Sequence, residues 1–321
     1  MRLCRIQREE QAEVAFYDDD QVVPLRDAQA AYTQTTGESL DIASDDNLLR
    51  HLPPAGDQSA PTQRLADWLA TSGAAQSETL GIPTSAVQLL VPNPTPPKLF
   101  LLAGNYAKHI EEGGEIAAER AETFPYVFMK PPTTTLTHPG SPVRIPAVSP
   151  HHIDWELELG VIIGRGGKSI REEDALHHVA GYTVINDISN RKFRPNPDRK
   201  ERPKDAFFDW LHGKWHDSAC PCGPCITSAN AIPDPQALEM QLRVNGTLHQ
   251  DASTAQQIFP VAAVIAFISS FVTLEPGDMI STGTAAGVGN TTATYLQPGD
   301  QMEASIESIG TLVSPVQAES D

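Results

Sequence analysis

The stretch Asp154-Trp-Glu-Leu-Glu-Leu-Gly-Val-Ile-Ile163 places three carboxylates within five residues and then runs straight into an apolar tail. Alternate side chains of a strand share a face, so Glu156 and Glu158 stand about 7 Å apart along it, from a rise of about 3.3 Å per residue. The continuous apolar tail marks a strand buried on both faces. Two like charges on such a strand repel, and burial worsens the repulsion. A divalent cation between them removes the conflict, and an all-oxygen ligand set selects a hard ion: magnesium, manganese or calcium. Asp187 is the natural third ligand, because it ends the apolar strand Gly181-Tyr-Thr-Val-Ile-Asn-Asp187. The competing reading is a solvated face whose glutamates sit in water.

Further candidate groups lie on either side of this strand. His109 and Glu112 are three apart, the spacing of one helical face, and a carboxylate beside an imidazole suits a general base for water. Gly104 before the pair and Gly113–Gly114 after it allow the segment to move as a lid. Arg191 to Lys204 carries seven basic residues against two acidic ones, which stands out in a chain of net charge −18 and suits capture of a substrate carboxylate. Lys214, set between tryptophans, can stabilise an enolate or oxyanion. Thr282 to Gly289 is a glycine loop whose N–H groups and Thr284 can face a carboxylate.

Rival motifs fail on spacing. Gly160 to Ile170 imitates a phosphate loop, but the first glycine would fall at 162, which is Ile162. Cys220, Cys222 and Cys225 lack the second distant pair of a structural zinc site. The acidic charge disfavours nucleic acid and anionic membranes as partners. The longest apolar run, Val261 to Leu274, is short of a span of about 20 residues. With no secretory signal at the start, a soluble, reducing, cytoplasmic setting is expected.

The organisation is read as two parts. Residues 1–95 form a small α+β accessory domain, closed by the proline-rich stretch Val91 to Lys98, and residues 96–321 form the catalytic domain. In the first part, Thr62 to Gly73 reads as a helix closed by Gly73. In the second, Arg171 to Gly181 reads as a helix ended by Gly181, and Ile188 to Asp217 as a long irregular loop. Asn245–Gly246 reads as a hairpin turn, and a buried helix should start near Pro260. The echoing phrases Leu-Glu-Pro-Gly-Asp278 and Leu-Gln-Pro-Gly-Asp300 each feed a strand, the mark of corners in a rolled sheet.

Taken in order, GNYAKHIEE, FMKP, DWELELGVIIGR, GYTVINDIS, GKWHD, CPCGPC, VNG, LEPGDMISTGTAAGVG and LQPGD resemble the fumarylacetoacetate hydrolase family over about residues 96 to 315. The resemblance implies an α+β fold with a mixed β-roll, and chemistry on 2-oxo or 1,3-dioxo acids of the acylpyruvase or 2-hydroxyhepta-2,4-diene-1,7-dioate isomerase kind. It implies a magnesium ion on Glu156, Glu158 and Asp187, with manganese or calcium as substitutes. His109 and Glu112 match a catalytic dyad and Lys214 a catalytic lysine. Arg191, Thr284, Tyr106 and Gly283 match substrate contacts. A homodimer acting on a small keto acid is the expected assembly. Arg194 and Ala285 depart from the glutamine and proline of many relatives, a difference that bears on the substrate.

Overall fold

The computed structural model describes residues 1–71, 79–114, 116–118 and 120–319. The strand Leu157–Ile163 is buried at all seven positions, which removes the reading of a solvated face. It lies inside a mixed 12-stranded sheet. Val179–Asn186 runs antiparallel on one side of it and Met279–Thr284 antiparallel on the other. Beyond Met279–Thr284 come Leu99–Ala103, in parallel, and the edge strand Tyr126–Met129.

On the far side, Val179–Asn186 is followed by Cys220–Ser228 and then by Arg2–Arg8, Gln11–Tyr17 and Gln21–Pro24. The first strands of the chain thus continue the same sheet, through pairs such as Leu3 with Ile226, across the boundary expected at residue 95. The helices Leu25–Thr36 and Ser59–Thr71 belong to this first part. The closing residue expected at Gly73 lies outside the described residues.

A second sheet orders Thr247–Ser253, Glu239–Val244, Gln301–Ile306, Gly310–Ala318 and Val143–Ile145. One apolar cluster joins the two sheets, with Leu157, Leu159 and Val161 from the first packed with Met240, Leu242, Met302 and Leu312 from the second. That shared core is the rolled arrangement anticipated from the two Pro-Gly-Asp corners. The turn at Asn245–Gly246 has φ of 50° and 78°, the left-handed pair that matches the twist of a two-residue hairpin. The helix Val261–Phe271 follows Pro260 as expected. All four cysteines are free and buried, three of them in the strand Cys220–Ser228.

Two expectations need correction. Arg171 to Gly181 is not a helix ended by glycine. Glu172–His178 forms 3₁₀ turns, and Gly181 lies within the strand Val179–Asn186. A Cβ on Gly181 would meet the Thr227 carbonyl oxygen at 2.3 Å, so this glycine permits close approach of two strands. Gly181→Val is therefore expected to destabilise the fold by about 1–3 kcal/mol or more, through overpacking; urea unfolding measures it, and an unchanged midpoint would contradict the close approach. The second correction concerns Ile188 to Asp217, which contains the helix Asp205–His212. Three of its arginines are matched locally: Arg199 pairs with Asp205 and Asp209, Arg202 with Asp205, and Arg194 with Glu201.

Candidate active site

Two neighbouring segments of the large sheet bring Glu156, Glu158 and Asp187 together: both glutamates flank Leu157 at the start of the strand Leu157–Ile163, and Asp187 follows the end of Val179–Asn186. One carboxylate oxygen from each lies within 4.8 Å of the others, and all three side chains are buried. Glu158 Oε2 accepts hydrogen bonds from Ser281 Oγ (2.6 Å) and the Gly283 N–H (2.8 Å). Glu158 Oε1 is buried without a partner among the described residues. An orphaned carboxylate oxygen facing two others, with only oxygen donors, fits a hard divalent cation.

Cations surround the triad. Lys214 Nζ reaches Glu156 Oε2 at 2.7 Å and Asp187 Oδ2 at 2.6 Å. Lys130 Nζ lies 2.5 Å from Asp187 Oδ1 and donates to the carbonyls of Ile188 and Ala219. Arg191 bridges Asp154 and Glu156, each at 2.7 Å. Burial opposes charge on Glu156, but Arg191 and Lys214 prevail and hold its carboxyl well below the usual range. Burial pushes Glu158 well above that range, and Asp187 and Glu156 push in the same direction. The two glutamates, one on either side of Leu157, are thus driven apart in acidity by their partners. Burial also opposes the Lys214 ammonium, yet Asp187 and Glu156 outweigh it and raise its pKa.

The expected His109–Glu112 pair is not joined by a hydrogen bond. Both residues lie on the short helix Ala107–Glu112, but the Glu112 carboxylate accepts the Gly287 N–H at 3.0 and 3.2 Å, tying the helix to the glycine loop. His109 Nδ1 is buried without a partner among the described residues. Burial lowers the His109 pKa; Glu156 raises it, and Arg191 and Lys214 lower it further, so the imidazole senses the carboxylate cluster.

The other expected substrate contacts are engaged within the protein. Tyr106 O–H donates to Met240 Sδ at 3.5 Å. Gly283 has φ 89° and spends its N–H on Glu158. Thr284 O–H donates to the Leu157 carbonyl at 3.0 Å. Arg191 is held by acidic side chains.

Four supporting residues were not assigned a site role from the sequence: Lys130, Ser281, Gln250 and Asp154. Lys130 was visible in the FMKP motif, but its carboxylate partner is 57 positions away. Asp154 opened the acidic run; it accepts the N–H groups of Trp155, Gly289 and Asn290 as well as Arg191 Nε.

Residues 98–317 match the family model described as fumarylacetoacetate (FAA) hydrolase C-terminal. The chain is 38% identical over 235 residues to a mitochondrial oxaloacetate tautomerase of Xenopus laevis, covering 72% of this chain and 69% of that one. It is 40% identical over 218 residues to a 2,4-didehydro-3-deoxy-L-rhamnonate hydrolase of Sphingomonas sp. (strain SKA58), covering 67% and 71%. The crystal structure of a maleylpyruvate hydrolase from Sphingobium sp. SYK-6, in complex with manganese(II) and pyruvate, superposes with a TM-score of 0.71 at 28% identity over all of both chains. Among the described residues, no helix is long and apolar enough to cross a membrane.

Proposed function

The chain belongs to the fumarylacetoacetate hydrolase family of enzymes, and on that premise we propose that it is a divalent-metal-dependent hydrolase cleaving a carbon–carbon bond in an acylpyruvate-like 2-oxo or 1,3-dioxo acid. The observation that carries this reading is the convergence of Glu156, Glu158 and Asp187 on one point, with Glu158 Oε1 unpartnered and the Lys214 ammonium alongside. Glu156, Glu158 and Asp187 would hold the ion, magnesium in this reading, with manganese or calcium as substitutes. The ion when bound supplies a Lewis acid for the oxygens of the keto-acid end.

The protein's own groups supply the rest. His109, kept neutral by burial, takes a proton from water. The water oxygen bonds to the acyl carbonyl carbon, the bond to the neighbouring methylene carbon breaks, and the electron pair passes to the departing pyruvate enolate. Protonation of that enolate completes pyruvate, and the acyl part leaves as an acid. Lys214 lies where an ammonium offsets negative charge on oxygen. The bond from the Gly287 N–H to Glu112 ties the His109 helix to the glycine loop, and closure of that segment over a bound substrate would exclude bulk water. Arg191 takes part in carboxylate capture by exchanging an acidic partner for the substrate, and Tyr106 and Gly283 are the remaining substrate contacts of this reading. Thr284 has already given its hydrogen to Leu157, so its free lone pair suits a substrate hydroxyl or enol. A cytoplasmic homodimer completes the reading; the exposed apolar side chains Tyr126 and Met129 on the edge strand offer a second copy a surface to bury.

A second reading is tautomerisation or isomerisation of the same class of acid. It is favoured by the absence of a His109–Glu112 hydrogen bond, since enolate chemistry needs no activated water. An acylpyruvate panel with magnesium or manganese separates them: pyruvate plus an acid is expected, whereas keto–enol exchange without cleavage would favour the second reading. Because the His109 pKa is lowered, the neutral base persists in acid. Turnover is expected to hold as pH falls past the ordinary imidazole value of about 6.5 and to decline only below it. A decline already centred at or above that value would argue against His109 as the base.

A further inference from the structure

We propose that Gln250, which reaches in from the second sheet, is a positioning residue that sets the spacing of the Glu156 and Glu158 carboxylates and orients the Thr284 hydroxyl. The inference rests on the cation site proposed above and extends it to a residue that touches neither ion nor substrate.

Leu157 is the residue between the two glutamates, so its peptide groups govern where both side chains start. Neither group is closed by a neighbouring strand on the Met279–Thr284 side, where the ladder shifts register between Glu158 and Gly160. Side chains close them instead. The Leu157 N–H donates to Gln250 Oε1 at 3.0 Å, and the Leu157 carbonyl accepts from Thr284 Oγ1 at 3.0 Å. Gln250 Nε2 then donates to Thr284 Oγ1 and to the Ala285 carbonyl, both at 2.9 Å.

The network has one consistent sense. Gln250 is 1% exposed, and its amide makes a bond with its oxygen and two with its nitrogen. Turning the amide over would set its N–H₂ against the Leu157 N–H and its oxygen against the Ala285 carbonyl. Because Thr284 Oγ1 accepts from Gln250, its own hydrogen is directed to Leu157. A single buried amide thereby determines the backbone at the glutamate pair, the donor direction of Thr284, and the start of the glycine loop. That loop is itself packed on the Gln250 strand, since a Cβ on Gly287 would meet the His249 carbonyl at 2.0 Å.

The test is manganese(II) affinity of the purified full chain, measured by calorimetry or electron paramagnetic resonance without substrate. Partners bonded directly to metal ligands typically contribute about 10–100-fold in affinity; Gln250 acts one bond further out, through the Leu157 peptide, so Gln250→Leu is expected at the lower end of that range and to raise the manganese Kd by about tenfold. Thr284→Val should show a similar loss and Thr284→Ser should restore most of it. The Gln250→Leu/Thr284→Val double variant should lose less than the product of the two single losses, because both act on the Leu157 peptide.

A Gln250→Leu protein that melts cooperatively and binds manganese within about twofold of wild type overturns the inference. If Gln250→Leu does not fold, a Thr284→Val protein with wild-type affinity overturns it instead, and so does full additivity where both single variants fold. Wild-type protein that takes up no manganese would sink the cation site itself, and this inference with it; that outcome is distinct from one in which only the variants fail to differ.

Discussion

Glu158→Gln is expected to lower turnover on a cleavable keto acid by at least about a thousandfold while leaving the fold intact. Metal-dependent stabilisation of developing charge is worth several kcal/mol, and each 1.36 kcal/mol is a factor of ten. The amide keeps an oxygen for the Ser281 and Gly283 donors, so packing survives. It loses the charge that an ion would meet at Oε1. The metal-free protein gives an independent readout. Burial, with Asp187 and Glu156, raises the Glu158 pKa. A raised carboxyl pKa contributes stability that is present below the unfolded value of about 4.3 and is lost as pH rises through the folded value. The amide has no such proton to lose. Metal-free Glu158→Gln should therefore melt above wild type near pH 8, with the gap narrowing towards pH 4. Added manganese should raise the melting temperature of wild type but not of the variant. Wild-type turnover in Glu158→Gln would remove the assigned site.

The second large effect is expected at Lys214. Lys214→Met removes a buried ammonium that contacts Glu156 and Asp187 together. Stripping one partner from a buried charge cluster costs about 3–5 kcal/mol, and the metal-free variant should lose stability on that scale. Lys130 and Arg191 remain in place, so the loss should stay within that range. A divalent cation supplies the missing positive charge, and saturating metal should recover much of the stability by mass action. Turnover should not recover with it. Loss of one preorganised charge stabiliser typically costs about 10²–10³ in kcat, and that deficit should persist at saturating metal. Recovery of both properties together would reduce Lys214 to a charge balancer.

The candidate site was legible wherever its chemistry is written locally. Glu156 and Glu158 share a strand face by alternation, and Asp187 ends the neighbouring apolar run, so their convergence follows from short-range pattern. The hairpin at Asn245–Gly246 and the helix after Pro260 were readable for the same reason, since each depends on backbone preferences of one or two residues. The helix expected to end at Gly181 misled because a glycine after a polar run looks like a helix stop. Its actual cause is the neighbouring strand Cys220–Ser228, whose Thr227 carbonyl leaves no room for a Cβ. The helix within Ile188 to Asp217 was masked by a dense run of charges, among which Arg199 pairs with Asp205 and Asp209 of the helix itself.

From the sequence alone came the kinds of groups present: acidic pairs at strand spacing, a lysine among aromatics, a histidine and glutamate one turn apart, and the order of motifs that points to the family. Only the tertiary structure decided which partners those groups take. Glu112 went to Gly287 and not to His109, Arg191 to Asp154 and Glu156, and Lys130 to Asp187. The physical reason is that buried polar groups must find complements wherever packing places them, and packing joins residues more than a hundred positions apart, such as Glu158 with Ser281 and Leu157 with Thr284. Local pattern sets what a side chain can do, whereas long-range register sets what it does.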